Sequence, residues 1–263
     1  MYTETILLII PALFGAIIGS FLNVVILRLP EKDASIVFPA SHCPKCLNNL
    51  SWYENIPVLS YIFLRGKCSH CHTSISLQYP VVEILTALLA AAVCFKFGYS
   101  LQAGGYFILG AALLVIIFID IHHQIIPDII SLPGIILGFL FSLVNSSVTW
   151  QSSLIGLLLG GGVLYTIAFI YFFLRKQDGM GGGDIKLLAM LGAWLGWQSL
   201  PFVILMSSSA GSIVGLIAMR WQKKGGSTRI PFGPFLSIAA LIYIFYSEKI
   251  LYFYHLYVTG QWP

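Results

Sequence analysis

Charge is what this chain has least of. Asp, Glu, Lys and Arg make up 9% of its 263 residues, where soluble domains carry about 25%. So little charge excludes an ordinary water-soluble globule. A hydrophobic fraction of 58% makes the bilayer the solvent instead. The formal net charge of +4 does not point to nucleic acid, because the basic residues sit between apolar runs, and no nucleic-acid partner is expected. Several catalytic motifs are also missing. Without HExxH a zincin-type protease is excluded, and without G-x-S-x-G so is a serine nucleophile elbow. There is no internal repeat and no low-complexity tract. No basic stretch precedes the first apolar run, which reads on into GSFLNVVILRLP, so it is expected to be a span and not a signal peptide.

What is present is a series of apolar runs of spanning length, about 20 residues each. The expected spans are Glu4–Leu29, Pro80–Phe97, Gly104–Ile121, Ile129–Asn145, Ser153–Leu174, Asp184–Trp197, Leu200–Arg220 and Phe232–Tyr257. Asp184–Trp197 is short, and a re-entrant piece is the alternative there. The fold class expected is an all-α polytopic membrane protein of about eight transmembrane helices. Residues 1–29 form the first helix, 30–79 a small cytoplasmic zinc-binding insert, and 80–263 the remaining helices. Alternating spans put Arg28, Lys32, Lys45, Arg65 and Lys67 on one side with Arg175, Lys176, Lys186, Arg220, Lys223, Lys224 and Arg229. Only Lys96 and Lys249 fall opposite, so the basic side reads as cytoplasmic. Asp120 and Asp184 both land at cytoplasmic helix ends. Gly156, Gly160, Gly161 and Gly162 are a small-residue stripe suited to close helix packing.

The insert holds Cys43-Pro-Lys-Cys46 and Cys68-Ser-His-Cys71. Two CxxC pairs at this separation suit four thiolates around one structural zinc. Two disulfides or redox thiols are the alternative, which a reducing cytosol disfavours. His42, His70 and His72 could substitute for a ligand or surround the site. Cys94 reads as a small apolar helix residue.

Two of the ten acidic residues stand apart. Asp120 closes the run ILGAALLVIIFID, at a helix C-terminus, where the dipole disfavours a negative charge. Asp184 opens GDIKLLAMLGAWLG behind Gly181, Gly182 and Gly183, which would admit a substrate strand and unusual backbone angles. A charged residue at membrane depth costs about 2.5–3.5 kcal/mol on translocon scales. Such residues pair, and two nearby carboxylates share a proton. One then serves as general base on water while the other polarises a carbonyl. The ordinary reading of Asp184 is the N-cap of its helix, and that of Asp128 likewise. Glu83 is placed in the first turn of its helix, where the dipole favours it and where a membrane carboxylate can equally mark a site. His122 and His123 read as interfacial.

Taken together these segments resemble the prepilin peptidases, the type IV leader peptidases within the GxGD class of intramembrane aspartyl proteases. The resemblance is carried by GSFLNVVILRLP, both CxxC pairs, ENIPVLSYIFLRGKC, ISLQYPVVE, IDIHHQIIPD, GMGGGDIKLLAMLGAWLGW and IPFGPFL. It implies catalysis by Asp120 and Asp184, with Gly181 and Gly183 as the fixed glycines and Gly182 at the variable position. It implies cleavage after a glycine in the leaders of prepilins and pseudopilins, at the cytoplasmic face of the bacterial inner membrane. The insert resembles that of the bifunctional members, which implies N-methylation of the new terminus with S-adenosylmethionine. No Rossmann glycine fingerprint marks a binding site for that cofactor. Glu54, Asn55, Arg65, Gly66 and Glu83 are the matching polar and glycine positions. Each has an ordinary alternative: Glu54 and Asn55 could cap a turn before Pro57, and Arg65 could bind lipid phosphate. A peptidase without methyl transfer is the nearer alternative. A proton-coupled transporter with a zinc knuckle is the more distant one, and it predicts inverted repeats and has no need of the triple glycine.

Overall fold

The structure is a computed structural model, and it describes residues 2–31, 35–176, 181–222 and 230–260. Lys32, Asp33, Asp178, Gly179, Lys223, Lys224 and Arg229 lie outside the described residues. The helices are α1 (Tyr2–Arg28), α2 (Leu59–Phe63), α3 (Gln78–Phe97), α4 (Leu101–His123), α5 (Asp128–Ser142), α6 (Trp150–Arg175), α7 (Gly182–Leu195), α8 (Leu200–Gln222) and α9 (Gly233–Thr259). Short 3-10 turns cover Trp52–Asn55 and Trp197–Ser199. The all-α expectation holds: among the described residues the only β-type pairing is two isolated bridges, His42 with Asn49 and Lys67 with Ser74.

Six helices among the described residues are long and apolar enough to cross a membrane, which makes this a multi-pass membrane protein. The expected count of eight is not reached by length. With 15 and 14 residues, α5 and α7 rise only about 21–22 Å, against a hydrocarbon core of about 30 Å. Burial accounts for α7: Leu187 to Leu195 is buried throughout. A helix enclosed by protein need not match the lipid thickness. The expectation that both short helices cross rests on the basic residues. If neither crossed, Arg175, Lys176 and Lys186 would move to the side opposite the other basic loops.

The chain divides into two compact units, Met1–Val115 and Ile116–Pro263, with the division inside α4. In the first, α1 packs along α3 through glycines. A Cβ on Gly15 would lie 2.6 Å from the Thr86 carbonyl oxygen, and one on Gly19 would lie 2.7 Å from the Glu83 Cα. Asn23, also buried, donates to the Tyr79 carbonyl at 3.0 Å. The GSFLN segment is thus a helix-packing surface: small residues admit the neighbouring backbone and an amide ties it.

In the second unit α7 is the central helix. Gly192 meets Gly156 of α6 backbone to backbone, and Gly160 lies where a Cβ would sit 2.5 Å from the Leu188 carbonyl oxygen. Gly161 touches Ala189 more loosely, and nothing crowds Gly162. So two of the four stripe glycines are required by packing. Ser153 donates to the Ala193 carbonyl at 2.6 Å, and the Trp194 indole N–H to the Gly134 carbonyl of α5 at 2.8 Å. On its other flank α7 packs against α9.

Candidate active site

Asp120 lies three residues before the end of α4, and 4% of it is exposed. Its stabilising partner comes from another helix. The Gly233 N–H, at the start of α9, donates to Asp120 Oδ2 at 2.9 Å. Pro234 occupies the first turn of α9, where a missing N–H costs nothing. The amino end of α9 therefore supplies a free donor and a favourable dipole to a carboxylate that its own helix end disfavours. Gly233 leaves room for the carboxylate: a Cβ there would stand 2.7 Å from Asp120 Oδ2 and 3.2 Å from Ile126 Cδ1, so one of these side chains would have to move.

Asp184 is brought to the same place. It is half-buried, and Asp120 is its electrostatic neighbour. The link between them is Ile126: a Cβ on Gly183 would lie 2.9 Å from Ile126 Cβ, while the other face of that side chain meets Gly233. Helix α7 begins at Gly182 with Gly181 as its N-cap, and Asp184 falls within the first turn. Asp184 is therefore not the N-cap, because the helix starts three residues earlier than that role requires. The three glycines do not need unusual angles either. Gly181 has φ −67°, and none of the three has a positive φ. They act by size: Gly183 admits Ile126, while Gly182 has open space around it and Gly181 is exposed.

Asp128 is likewise not an N-cap. It is the first residue of α5, after Pro127, and its side chain caps nothing. Both of its carboxylate oxygens accept from the Lys186 ammonium, at 2.7 and 2.8 Å. This pair joins the start of α5 to α7, two residues beyond Ile126 and two beyond Asp184.

The four cysteines of the insert converge. Their sulfurs all lie within 4.8 Å of one another, with Cys43–Cys71 at 3.8 Å and Cys46–Cys68 at 4.0 Å. A zinc tetrahedron with Zn–S bonds of about 2.3 Å has edges of about 3.8 Å, so the cage fits that ion. The two knuckles repeat one another. Cys43 N–H donates to Asn48 and Cys68 N–H to Thr73, and the residue four past each first cysteine, Leu47 or His72, has a positive φ. The Thr73 hydroxyl brings Cys71 down to about 6, and the backbone N–H groups of Cys46 and Lys45 lower Cys43. Cys46 is pushed up to about 11 despite the Asn48 N–H, by desolvation and by Cys43, Cys71 and Cys68 around it. Sulfurs this close do not all ionise without a cation among them. No histidine belongs to the cluster among the described residues.

The residues matched to cofactor binding all belong to the first unit. Glu54 is buried. It accepts the Ser51 N–H at 2.7 Å and the Ser69 hydroxyl, and the latter chiefly holds its carboxyl below the usual range. The suggested capping role is thus fulfilled by Glu54, which closes the 3-10 turn. Asn55 and Arg65 are exposed, and Gly66, at φ +67°, turns the chain against Tyr61. Glu83 lies in the second turn of α3, not the first, because α3 begins at Gln78; it accepts the Val58 N–H at 2.7 Å. Sequence reasoning overlooked Gly233 and Ile126. The signal for Gly233 was present in IPFGPFL, a Gly-Pro at a helix start. Ile126 carried none.

Residues 13–97 match the bacterial peptidase A24 N-terminal domain, and residues 107–216 match the type IV leader peptidase family. A prepilin leader peptidase/N-methyltransferase of Stutzerimonas stutzeri is 40% identical over 90% of this chain and 89% of its own. One from Pseudomonas aeruginosa is 40% identical over 90% of each. One from Aeromonas hydrophila is 38% identical over 92% of this chain and 91% of its own. No solved structure matches. With both family domains in order and relatives alike along nearly its whole length, this chain belongs to the type IV leader peptidase family.

Proposed function

We propose that this protein cleaves the leaders of type IV prepilins and pseudopilins after a glycine, through Asp120 and Asp184, and then methylates the new amino terminus. The observation that carries the reading is that Gly233, which donates to Asp120, and Gly183, which precedes Asp184, both pack against Ile126, so that two acidic residues from different helix ends come to one place. The pair holds one proton between its members. The ionised member takes a proton from water as that water attacks the scissile carbonyl; the protonated member hydrogen-bonds the carbonyl oxygen and then protonates the leaving amine. Gly181 and Gly182 leave the flank of Asp184 open to an extended substrate strand. The basic loops support a cytoplasmic site in a bacterial inner membrane. A substrate that is itself a spanning helix with a basic cytoplasmic leader would reach such a site by lateral approach.

For methyl transfer the reading extends to S-adenosylmethionine, which supplies an activated methyl group when bound. Of the candidate residues, Glu54 and Gly66 shape the backbone of the insert and Glu83 ties α2 to α3. Asn55 is open to a ligand, and Arg65 is suited to the cofactor or to a lipid phosphate. Cys43, Cys46, Cys68 and Cys71 are proposed to hold structural zinc. The thiolate cage would lock two knuckles that have little apolar core of their own.

The test uses the purified full chain in detergent, a prepilin with a basic leader, and mass spectrometry of the product with and without S-adenosylmethionine. Wild type is expected to give a shortened product that gains one methyl group only when the cofactor is present. Asp120→Asn and Asp184→Asn should each leave the prepilin uncut while keeping the wild-type melting profile. Undiminished cleavage by either variant would remove that aspartate from the mechanism, and a product that never gains methyl would leave a peptidase alone.

A further inference from the structure

Glu83 occupies the sixth position of α3, a helix of 20 residues whose length matches a hydrocarbon core of about 30 Å. Its side chain is buried and accepts the Val58 N–H at 2.7 Å. About 7–8 Å of helix rise separates Gln78 from Glu83. The donor therefore stands at that depth along α3, beside the second turn of a spanning helix. Val58 has φ +62° and ψ −48°, the centre of a tight three-residue turn that β-branched residues rarely adopt. It precedes α2, so the chain turns sharply here and presents its N–H to the carboxylate.

The surface at this turn is not that of a polar insert. Helix α2 displays Leu59, Ile62 and Phe63, exposed by 51, 62 and 81%. The preceding 3-10 turn displays Trp52 and Tyr53, exposed by 79 and 56%. In water such a cluster would be a sticky patch. Beside a spanning helix at this depth it is ordinary lipid-facing surface, with Trp and Tyr suited to the headgroup level. Exposed Arg65 and Lys67 follow directly, and the ion pair found among the described residues involves neither. They are placed to meet lipid phosphate.

We propose that Trp52–Lys67 is a membrane-seated wedge within the insert, its partner the lipid of the adjoining leaflet, with α2 at acyl-chain depth and Arg65 and Lys67 at the phosphates. Between the two zinc knuckles the insert dips into the bilayer that its flanking helices cross. The wedge would hold the knuckles at a set height over the membrane. The proposal rests on the spanning of α3 and is independent of the peptidase chemistry.

The test places the full chain in phospholipid nanodiscs containing a lipid with a photoreactive diazirine midway along one acyl chain. A parallel sample receives a water-soluble diazirine, and adducts are mapped by peptide mass spectrometry. Acyl-chain adducts are expected on Leu59 to Phe63 at yields comparable to those on Leu88, an exposed position of α3, and to be absent from the knuckle at 43–49. Ile62→Asp should cut the wedge adducts by at least about tenfold, the charge being unfavourable at that depth, while Leu88 labelling stays unchanged as the control for folding. Labelling of α2 from water alone would overturn the proposal. Labelling from neither phase would also overturn it, since a second copy or another protein would then cover the patch.

Discussion

Asp120 shows how a residue that looks misplaced along its own helix is placed correctly in space. Helix α4 leaves it at a carboxyl end, while α9 presents an amino end to it through Gly233. Such helix-end interactions are worth about 0.3–2 kcal/mol, and no Cβ fits between the two groups. Gly233→Ala is therefore expected to push the Asp120 carboxylate aside. A misplacement of about 1 Å can cost on the order of 100-fold in rate, so prepilin cleavage should fall by that order while the variant stays folded in detergent. Cleavage at the wild-type rate would show that the Asp120–Gly233 contact does not position the dyad.

At the scale of elements, α7 joins packing to chemistry. Its first turn carries Asp184 and its body is the core of the second unit. Its registration depends on Gly192 meeting Gly156 without side chains between them. Gly192→Ala forces a methyl into the α6 backbone, and overpacking of this kind costs about 1–3 kcal/mol. A lower melting temperature is expected together with reduced cleavage, because a shift of α7 carries Asp184 with it. Gly162→Ala, at an uncrowded position of α6, should change neither. The Lys186–Asp128 pair bears on the same helix. Its side chains are 39 and 55% exposed, so a double-mutant cycle should assign it only about 0.2–1 kcal/mol of stability. Its larger effect is expected on cleavage, since it ties the start of α5, just after Ile126, to the part of α7 just after Asp184. A cycle in which stability and cleavage fall equally would make it a simple brace.

For the whole molecule, the two compact units separate the two candidate sites. The aspartyl pair belongs to Ile116–Pro263, and the cysteine cage belongs to Met1–Val115. Stripping metal with a chelator, or replacing Cys43 and Cys71 by serine, should loosen the insert and make residues 40–75 open to protease. Methyl transfer should then fall much further than cleavage, read side by side by mass spectrometry on one prepilin. A metal-free preparation whose insert stays protease-resistant would refute structural zinc. Equal loss of both activities would show that the insert serves the peptidase as well.

The apolar runs, the two CxxC pairs and the two odd aspartates were legible along the chain because each obeys a local rule. Spanning length, ligand spacing and the mismatch of a charge with its surroundings need no knowledge of neighbours. Helix boundaries followed to within a few residues for the same reason. The donor to Asp120 did not follow, since Gly233 lies 113 positions away. Nor did the reason for Gly183, which is the bulk of Ile126. Asp128 and Asp184 look like caps in sequence and are not, because the helices begin earlier and an ammonium from another helix claims Asp128. By itself the sequence determined that this is an all-helical membrane protein with a thiolate cage and a pair of acids at apolar boundaries. Only the tertiary structure decided which helix end receives Asp120, which glycines must be small and where α2 sits against α3. Those choices depend on which backbones approach one another, and burial and close approach are properties of packed helices that no single helix carries.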